Sequence, residues 1–481
     1  MSSSITVPVW LAAIIALLAL WALLDRLLMP SARWFIRSRA NRVLDEVSQR
    51  LPIHIRPFQQ VRRQALIDRL VFDEKVQHAV RAFADAQAMP RAVALAQAQR
   101  YAREIVPAFN AYMYFRVGYW IGKKLSQSLY RVRIGYTDDA GLAAIPQDAT
   151  VVFVMNHRSN MDYIIASYLA AERAALSYAV GEWARVWGLQ QLIRAMGAYF
   201  VRRNSKDELY RRVLERYIAM ATEAGVTQAV YPEGGLTRDG RLREPRFGVL
   251  DYMLRGFHTH GERDLVFVPL GLNYDRVLED RVLTAAASAP AGERPRLGFN
   301  PLVFSAWIAK GLWQRVRGTW HRYGYACVSF GRPLSLRSYL AERGTDVRAL
   351  PEDQRFAEIE RLGQRLMNEV GRVVPALPVS LVASALLAGG DHGLSSLELK
   401  GAVFALMRRL TAMGAHVHIP RHDQEYAVDV GLRMLLLRHL VVAEAGVYRP
   451  NPKETALLAF YANAIAHLLA EPAAFQKRVT P

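Results

Sequence analysis

A chain of 481 residues that is 52% hydrophobic and 22% charged has ample apolar surface to offset the entropy of ordering. This excludes an intrinsically disordered protein and, at roughly 150 residues per domain, predicts two to four folded units. A formal net charge of +19 attracts polyanions such as anionic lipid headgroups, phosphorylated small molecules, acidic carrier proteins and nucleic acid, without selecting among them. The single cysteine, Cys327, excludes an internal disulfide and a cysteine-rich metal centre, and its apolar setting makes it a packing residue in a reducing compartment.

Ile5 to Leu24 carries no charged side chain, and about 20 such residues suffice for a helix to cross the hydrocarbon core. Arg26, Arg33, Arg37, Arg39 and Arg42 follow it and no Lys or Arg precedes it, so the positive-inside bias predicts a single-pass anchor at 1–30 with the bulk of the chain in the cytoplasm. Helical spacing without strand alternation, as in Val61, Leu66, Leu70 and Val71, predicts a helical N-terminal region over 31–139. Within it, Ala111 to Tyr130 combines Tyr112, Tyr114, Phe115, Tyr119 and Trp120 with Lys123, Lys124 and Arg131. That composition suits a helix lying at a membrane interface, and equally one packed on the domain.

From Ala149 the texture changes. The short apolar runs Val151–Val154, Gln228–Tyr231, Leu265–Leu272 and Ala326–Phe330 predict buried strands. Helical patterns at Tyr210–Ala224 and Arg246–Phe257 fall between them, which predicts an α/β domain over 140–340. Ala285–Pro301, rich in Ala, Pro and Gly, is expected to be a loop. Phe304, Ile308, Leu312, Val316 and Trp320 then recur every four residues among Lys310, Arg315 and Arg317, a pattern that fits either the headgroup zone or the core. The patterns Leu381–Leu387, Ala402–Leu410 and Ala456–Leu469 predict a helical region over 341–481, and the apolar run Val379–Ala388 is too short to span a bilayer.

Four blocks carry chemistry. Asn156-His157-Arg158-Ser159-Asn160-Met161-Asp162-Tyr163 leaves the first predicted strand. There a carboxylate five residues after a histidine can orient one imidazole nitrogen while the other serves as a base near neutral pH. Gly197 through Arg203 closes a predicted helix with the cations Arg202 and Arg203. Tyr231-Pro232-Glu233-Gly234-Gly235-Leu236-Thr237-Arg238-Asp239-Gly240-Arg241 forms a glycine turn whose amides and guanidinium groups suit an anion. Val268 through Tyr274 ends the third strand. Each block alone has an ordinary structural explanation, and no Gly-x-Ser-x-Gly elbow or His-Glu-x-x-His zinc helix is present in the sequence.

Together the four blocks resemble the glycerolipid acyltransferase superfamily, whose hallmark is His-x-x-x-x-Asp followed by a Glu-Gly block and a strand-ending Pro block. Within it they are most similar to the glycerol-3-phosphate and dihydroxyacetone-phosphate acyltransferase branch, and Leu457 through His467 resembles that branch's C-terminal helical region. The resemblance implies a mixed sheet flanked by helices, with additional N- and C-terminal helical regions. It implies acyl transfer from acyl-CoA or acyl carrier protein to glycerol 3-phosphate at a membrane, with no cofactor or metal. By it, His157 and Asp162 are the catalytic pair, Arg203 and Arg238 meet the acceptor phosphate, and Glu233, Gly234 and Gly235 shape the acceptor site. Leu236 stands where the family usually has Arg, so Arg202, Arg238 or Arg241 is expected to substitute, or the acceptor is a 1-acylglycerol phosphate. A membrane-tethered binder of anionic lipid or nucleic acid is the alternative of another class, but the basic residues are spread along the chain and form no recognition module, so nucleic acid is not an expected partner.

Overall fold

The computed structural model describes residues 56–470 apart from 171–174, 182–188, 203–204, 256, 259–260, 262, 290–312, 315–316, 318–319 and 348. The anchor expected at Ile5–Leu24, Arg203 and most of the tryptophan-rich stretch from Phe304 lie outside the described residues. Among the described residues no helix is long and apolar enough to cross a membrane.

The predicted apolar runs form the middle of one mixed sheet. Its strands are β1 (Arg131–Thr137), β2 (Thr150–Met155), β3 (Ser177–Val180), β4 (Tyr199–Phe200), β5 (Gln228–Val230), β6 (Leu265–Tyr274), β7 (Tyr325–Phe330) and β8 (Leu334–Ser335). Their order is β1-β7-β6-β2-β5-β3-β4, with β8 against β6. β2 runs parallel to both β5 and β6, while β7 is antiparallel to β6 and parallel to β1. β2 and β6 are buried along their whole length. This is why they read as continuous apolar runs, whereas the edge strand β1 exposes Arg133, Ile134 and Tyr136 and reads as neither helix nor strand.

Side chains alternate across the sheet, so each strand feeds two cores. Val151, Phe153 and Met155 join one with Val268, Leu270 and Leu272, and Val152 and Val154 join the other with Leu265 and Phe267. On the second face lie the helices Arg63–Val71, Glu74–Ala86, Arg91–Ile105, Glu208–Glu223 and Glu352–Val373. The first face is covered by Met161–Ala170 and by the C-terminal helices Pro378–Ala388, Ser396–Ala412, Gln424–Leu437 and Thr455–Asn463. The C-terminal helices thus share a core with the sheet, and a small antiparallel sheet of Leu394–Ser395, Val441–Glu444 and Val447–Pro450 sits among them.

Three local expectations are corrected. Arg131–Thr137, inside the span expected to be helical, is an edge strand. Gly197–Arg203 does not close a helix: Leu189–Ala195 ends first, Gly197 turns the chain at φ +87, and Tyr199–Phe200 pairs with β3. The start of the expected loop at Ala285 belongs to the helix Asp280–Ser288, since its alanines favour helix over turn. The aromatic stretch from Ala111 is helical as expected, but opens with a π-helical turn at Met113–Gly118 before the α-helix Tyr119–Leu129.

Candidate active site

β2 delivers the chain to the edge of the core at Met155, and the turn that follows carries His157 to within reach of the helix Met161–Ala170. Asp162 sits in that helix's first turn, with its amide bonded to the Ser159 carbonyl at 3.0 Å. His157 Nδ1 donates to Asp162 Oδ2 across 2.9 Å. The same carboxylate oxygen accepts the amides of Arg158 at 2.7 Å and Ser159 at 3.0 Å, and Oδ1 accepts the Tyr274 hydroxyl at 2.6 Å. Four donors therefore fix the carboxylate, which in turn fixes the imidazole so that Nε2 is the nitrogen free to act. The Tyr163 hydroxyl lies 3.5 Å from Nε2, at the limit of a hydrogen bond. The rings of Tyr163 and Tyr231 flank the imidazole at 5.3 and 4.3 Å.

The glycine turn after β5 folds back onto this histidine. Glu233, 1% exposed, accepts the His157 amide at 3.0 Å on one oxygen and the Arg243 amide at 3.3 Å on the other, and the Thr237 amide donates to the His157 carbonyl at 3.0 Å. Burial pushes the Glu233 carboxyl up to about 8, against the pull of the His157 amide and of Arg158 and Arg243. Glu233 is thus a strut beneath the histidine turn. Its neighbours Gly234 and Gly235 line the cavity.

That cavity, about 300 Å³, is lined by His157 and Tyr163. Val154, Val180, Leu214, Val230, Phe247 and Leu250 give it apolar walls, and Arg202, Arg211 and Arg246 bring cations to it. A larger hollow of about 550 Å³ lies elsewhere, between the β8 turn and the helix Glu352–Val373. It has no histidine, and its Arg365 and Arg372 are paired with Glu342 and Glu369. The smaller one holds His157.

Of the cations expected from sequence, Arg202 lines the cavity but is already engaged. Its Nε and Nη2 grip both oxygens of Glu104 at 2.9 and 2.6 Å, and its guanidinium lies over the rings of Tyr101 and Tyr210. Arg238 and Arg241 leave the turn outside the cavity lining. Sequence inspection missed Arg211, on the helix Glu208–Glu223, and Arg246, just before the helix Gly248–Arg255. Only the fold brings them to the same cavity as His157. Leu236 packs against the apolar core. The amides of the histidine turn are committed to Glu233, Asp162 and, for Asn160, Glu279.

Residues 138–273 match the family described as acyltransferase, and residues 310–476 match the one described as glycerol-3-phosphate acyltransferase C-terminal region. The first match spans the histidine turn and the glycine turn, and the second spans the helices that cover the sheet. These two regions carry the chain's likeness to glycerol-3-phosphate acyltransferases. Similar proteins include the glycerol-3-phosphate acyltransferase of Pseudomonas putida, 27% identical over 426 residues, covering 85% of this chain and 49% of that one. That of Xanthomonas axonopodis pv. citri is 24% identical over 417 residues, covering 84% and 46%. The chain spans about half the length of the curated relatives it matches. The crystal structure of the 1-acyl-sn-glycerophosphate acyltransferase PlsC from Thermotoga maritima aligns at a TM-score of 0.31 and 16% identity, over 53% of this chain and 79% of that one, a likeness too distant to carry an argument.

Proposed function

We propose that this chain transfers an acyl group from a thioester carrier, acyl-CoA or acyl carrier protein, to the hydroxyl of glycerol 3-phosphate. The observation that carries this reading is the imidazole held at Nδ1 by Asp162 on the lining of a cavity with apolar walls and arginines. His157 Nε2 removes the hydroxyl proton as the oxygen attacks the thioester carbonyl, and Asp162 stabilises the resulting imidazolium. The tetrahedral adduct then expels the thiolate, which takes the proton back from His157. The new ester bond forms as the thioester bond breaks, with no covalent enzyme intermediate and no cofactor. Gly235, whose amide has no acceptor among the described residues, is the proposed oxyanion donor in place of the committed histidine turn.

The acceptor phosphate is assigned to Arg211 and Arg246, together with Arg203 and Arg238 from the family pattern. Arg202 is assigned to holding the wall of the site through Glu104. The product is a lipid, and the charge-free stretch Ile5–Leu24 supports a single-pass anchor with the catalytic region on the cytoplasmic face. Leu236 in the position of a family arginine leaves one second reading open, in which a 1-acylglycerol phosphate is the acceptor. Labelled acyl groups presented on each carrier, in detergent, to glycerol 3-phosphate, dihydroxyacetone phosphate and lysophosphatidate test both. Transfer to glycerol 3-phosphate is the expected result; transfer to lysophosphatidate alone selects the second reading, and transfer to none refutes both.

A further inference from the structure

Arg158, next to the catalytic histidine in sequence, turns away from the cavity. Its side chain is 2% exposed, and its guanidinium reaches two backbone carbonyls: Nη1 donates to Gly240 at 2.7 Å and Nη2 to Ala464 at 2.9 Å. Nε has no partner among the described residues. A fully buried cation that meets no carboxylate directly is an expensive device, and Arg is the side chain whose planar fork can span two acceptors. What it spans is informative, because the carbonyls belong to the glycine turn and to the far C-terminal segment.

The same segment touches the site twice more. Gly240, at φ +85, lies so close to Phe460 that a β-carbon there would fall 1.9 Å from the Phe460 carbonyl oxygen, and Asn463 Nδ2 donates to the Asp239 carbonyl at 2.9 Å. On the other side of the histidine turn, Glu279 accepts the Ser159 hydroxyl at 2.8 Å and the Asn160 amide at 3.2 Å. Its neighbour Asp280 is held by Arg438 at 2.7 Å and by the Tyr461 hydroxyl, which also accepts the Val277 amide at 3.2 Å. Of the residues between His157 and Asp162, Arg158 thus rests directly on the Ala464 carbonyl, and Ser159 and Asn160 rest on Glu279, whose neighbour Asp280 is held from 438–464.

We propose that the C-terminal region sets the position of the catalytic turn, with Arg158 as the positioning residue on one flank and the Arg438–Asp280–Tyr461 cluster bracing the other. The region is then part of the catalytic centre without touching substrate. This rests on the acyl-transfer reading for its kinetic test, but its geometric claim stands apart from it.

The variants are Arg158→Lys, whose ammonium cannot span both carbonyls, Arg158→Ala, and Tyr461→Phe, which removes one bracing hydroxyl. For Arg158→Lys, kcat is expected to fall by about 10²-fold, the scale of an ångström-sized misplacement. KM for either substrate should change less than about twofold, and the acid limb of the kcat profile should move to lower pH as Asp162 loosens from the imidazole. Tyr461→Phe should show the same pattern more weakly, and added guanidinium should partly restore Arg158→Ala. The low-field proton resonance of His157 Nδ1–H, absent in His157→Ala, should weaken or shift in each brace variant. A folded Arg158→Lys or Tyr461→Phe protein with parental kcat, parental pH limb and an unchanged resonance overturns the proposal. If the Arg158 variants fail to fold, Tyr461→Phe decides it. If the parent transfers no acyl group to any acceptor, the functional reading fails and the resonance alone decides the brace.

Discussion

At the scale of single residues, a histidine and its aspartate act as a unit, and the unit's definition comes from neighbours that do no chemistry. Removing the imidazole in His157→Ala should lower turnover by ~10²-fold or more, the usual loss for a general base. Initial rates at saturating donor check this, and near-parental turnover would refute the assignment. Glu233 yields a different prediction. Its ordinary value of 4.5 is pushed up to about 8 by burial, so across that window the folded chain keeps a proton that the unfolded chain has lost. Stability therefore falls as pH rises from about 4.5 to about 8, and levels off above. Asp275, pushed up to about 7 by burial, acts in the same direction. Glu233→Gln should flatten part of the parental slope, seen as a smaller difference in urea midpoint between about pH 5 and pH 8; an unchanged slope would show that Glu233 stays ionised. Among the cations, Arg246→Ala should raise KM for the acceptor through loss of a charged hydrogen bond of about 1.5 to 3 kcal/mol, leaving KM for the donor near its parental value. An effect confined to the donor would remove Arg246 from the phosphate.

At the scale of elements, what sequence revealed depended on burial. β2 and β6 are covered on both faces and announce themselves as apolar runs, and the His157–Asp162 spacing is legible because five residues place both on one strand-to-helix turn. β1 stayed hidden because an edge strand can carry Arg133 and Tyr136 into solvent, and β4 because two residues have no periodicity. The second layer of the site stayed hidden for another reason. Tyr274, Glu279 and Thr237 reach the histidine turn from about 80 to 120 residues away, and nothing local marks such a pairing. Turn geometry at this scale is testable with two glycines of opposite surroundings. Gly344 ends a helix at φ +60 with open space around it, so Gly344→Ala should destabilise by about 1 kcal/mol. Gly240 combines φ +85 with the Phe460 carbonyl, so Gly240→Ala should destabilise by about 3 kcal/mol or more. Denaturant midpoints rank the two, and equal losses would mean that the C-terminal segment does not bear on the turn as described.

At the scale of the whole molecule, the two family matches correspond to one folding unit. The helix Pro378–Ala388 places Leu381, Val382 and Leu386 at 0% exposure in the same core as β2 and β6. Each such side chain is worth about 1.5 to 3 kcal/mol, so three rival the 5 to 15 kcal/mol by which domains are ordinarily stable. A chain ending at Ala376 should therefore fail to give a cooperative thermal transition, and a sharp parental transition would show that the acyltransferase region stands alone.

The parallel pairing of Arg131 with Tyr325 has a further consequence for biosynthesis. β1 leaves the ribosome roughly 190 residues before its partner, which at 5 to 20 residues per second is about 10 to 40 s. Throughout that interval its backbone amides and carbonyls lack their native neighbour, and Ile134 and Tyr136 lie along the same bare strand. Nascent chains are therefore most vulnerable to mispairing during this wait, and slow translation of the intervening segment lengthens the period in which a chaperone must shield them.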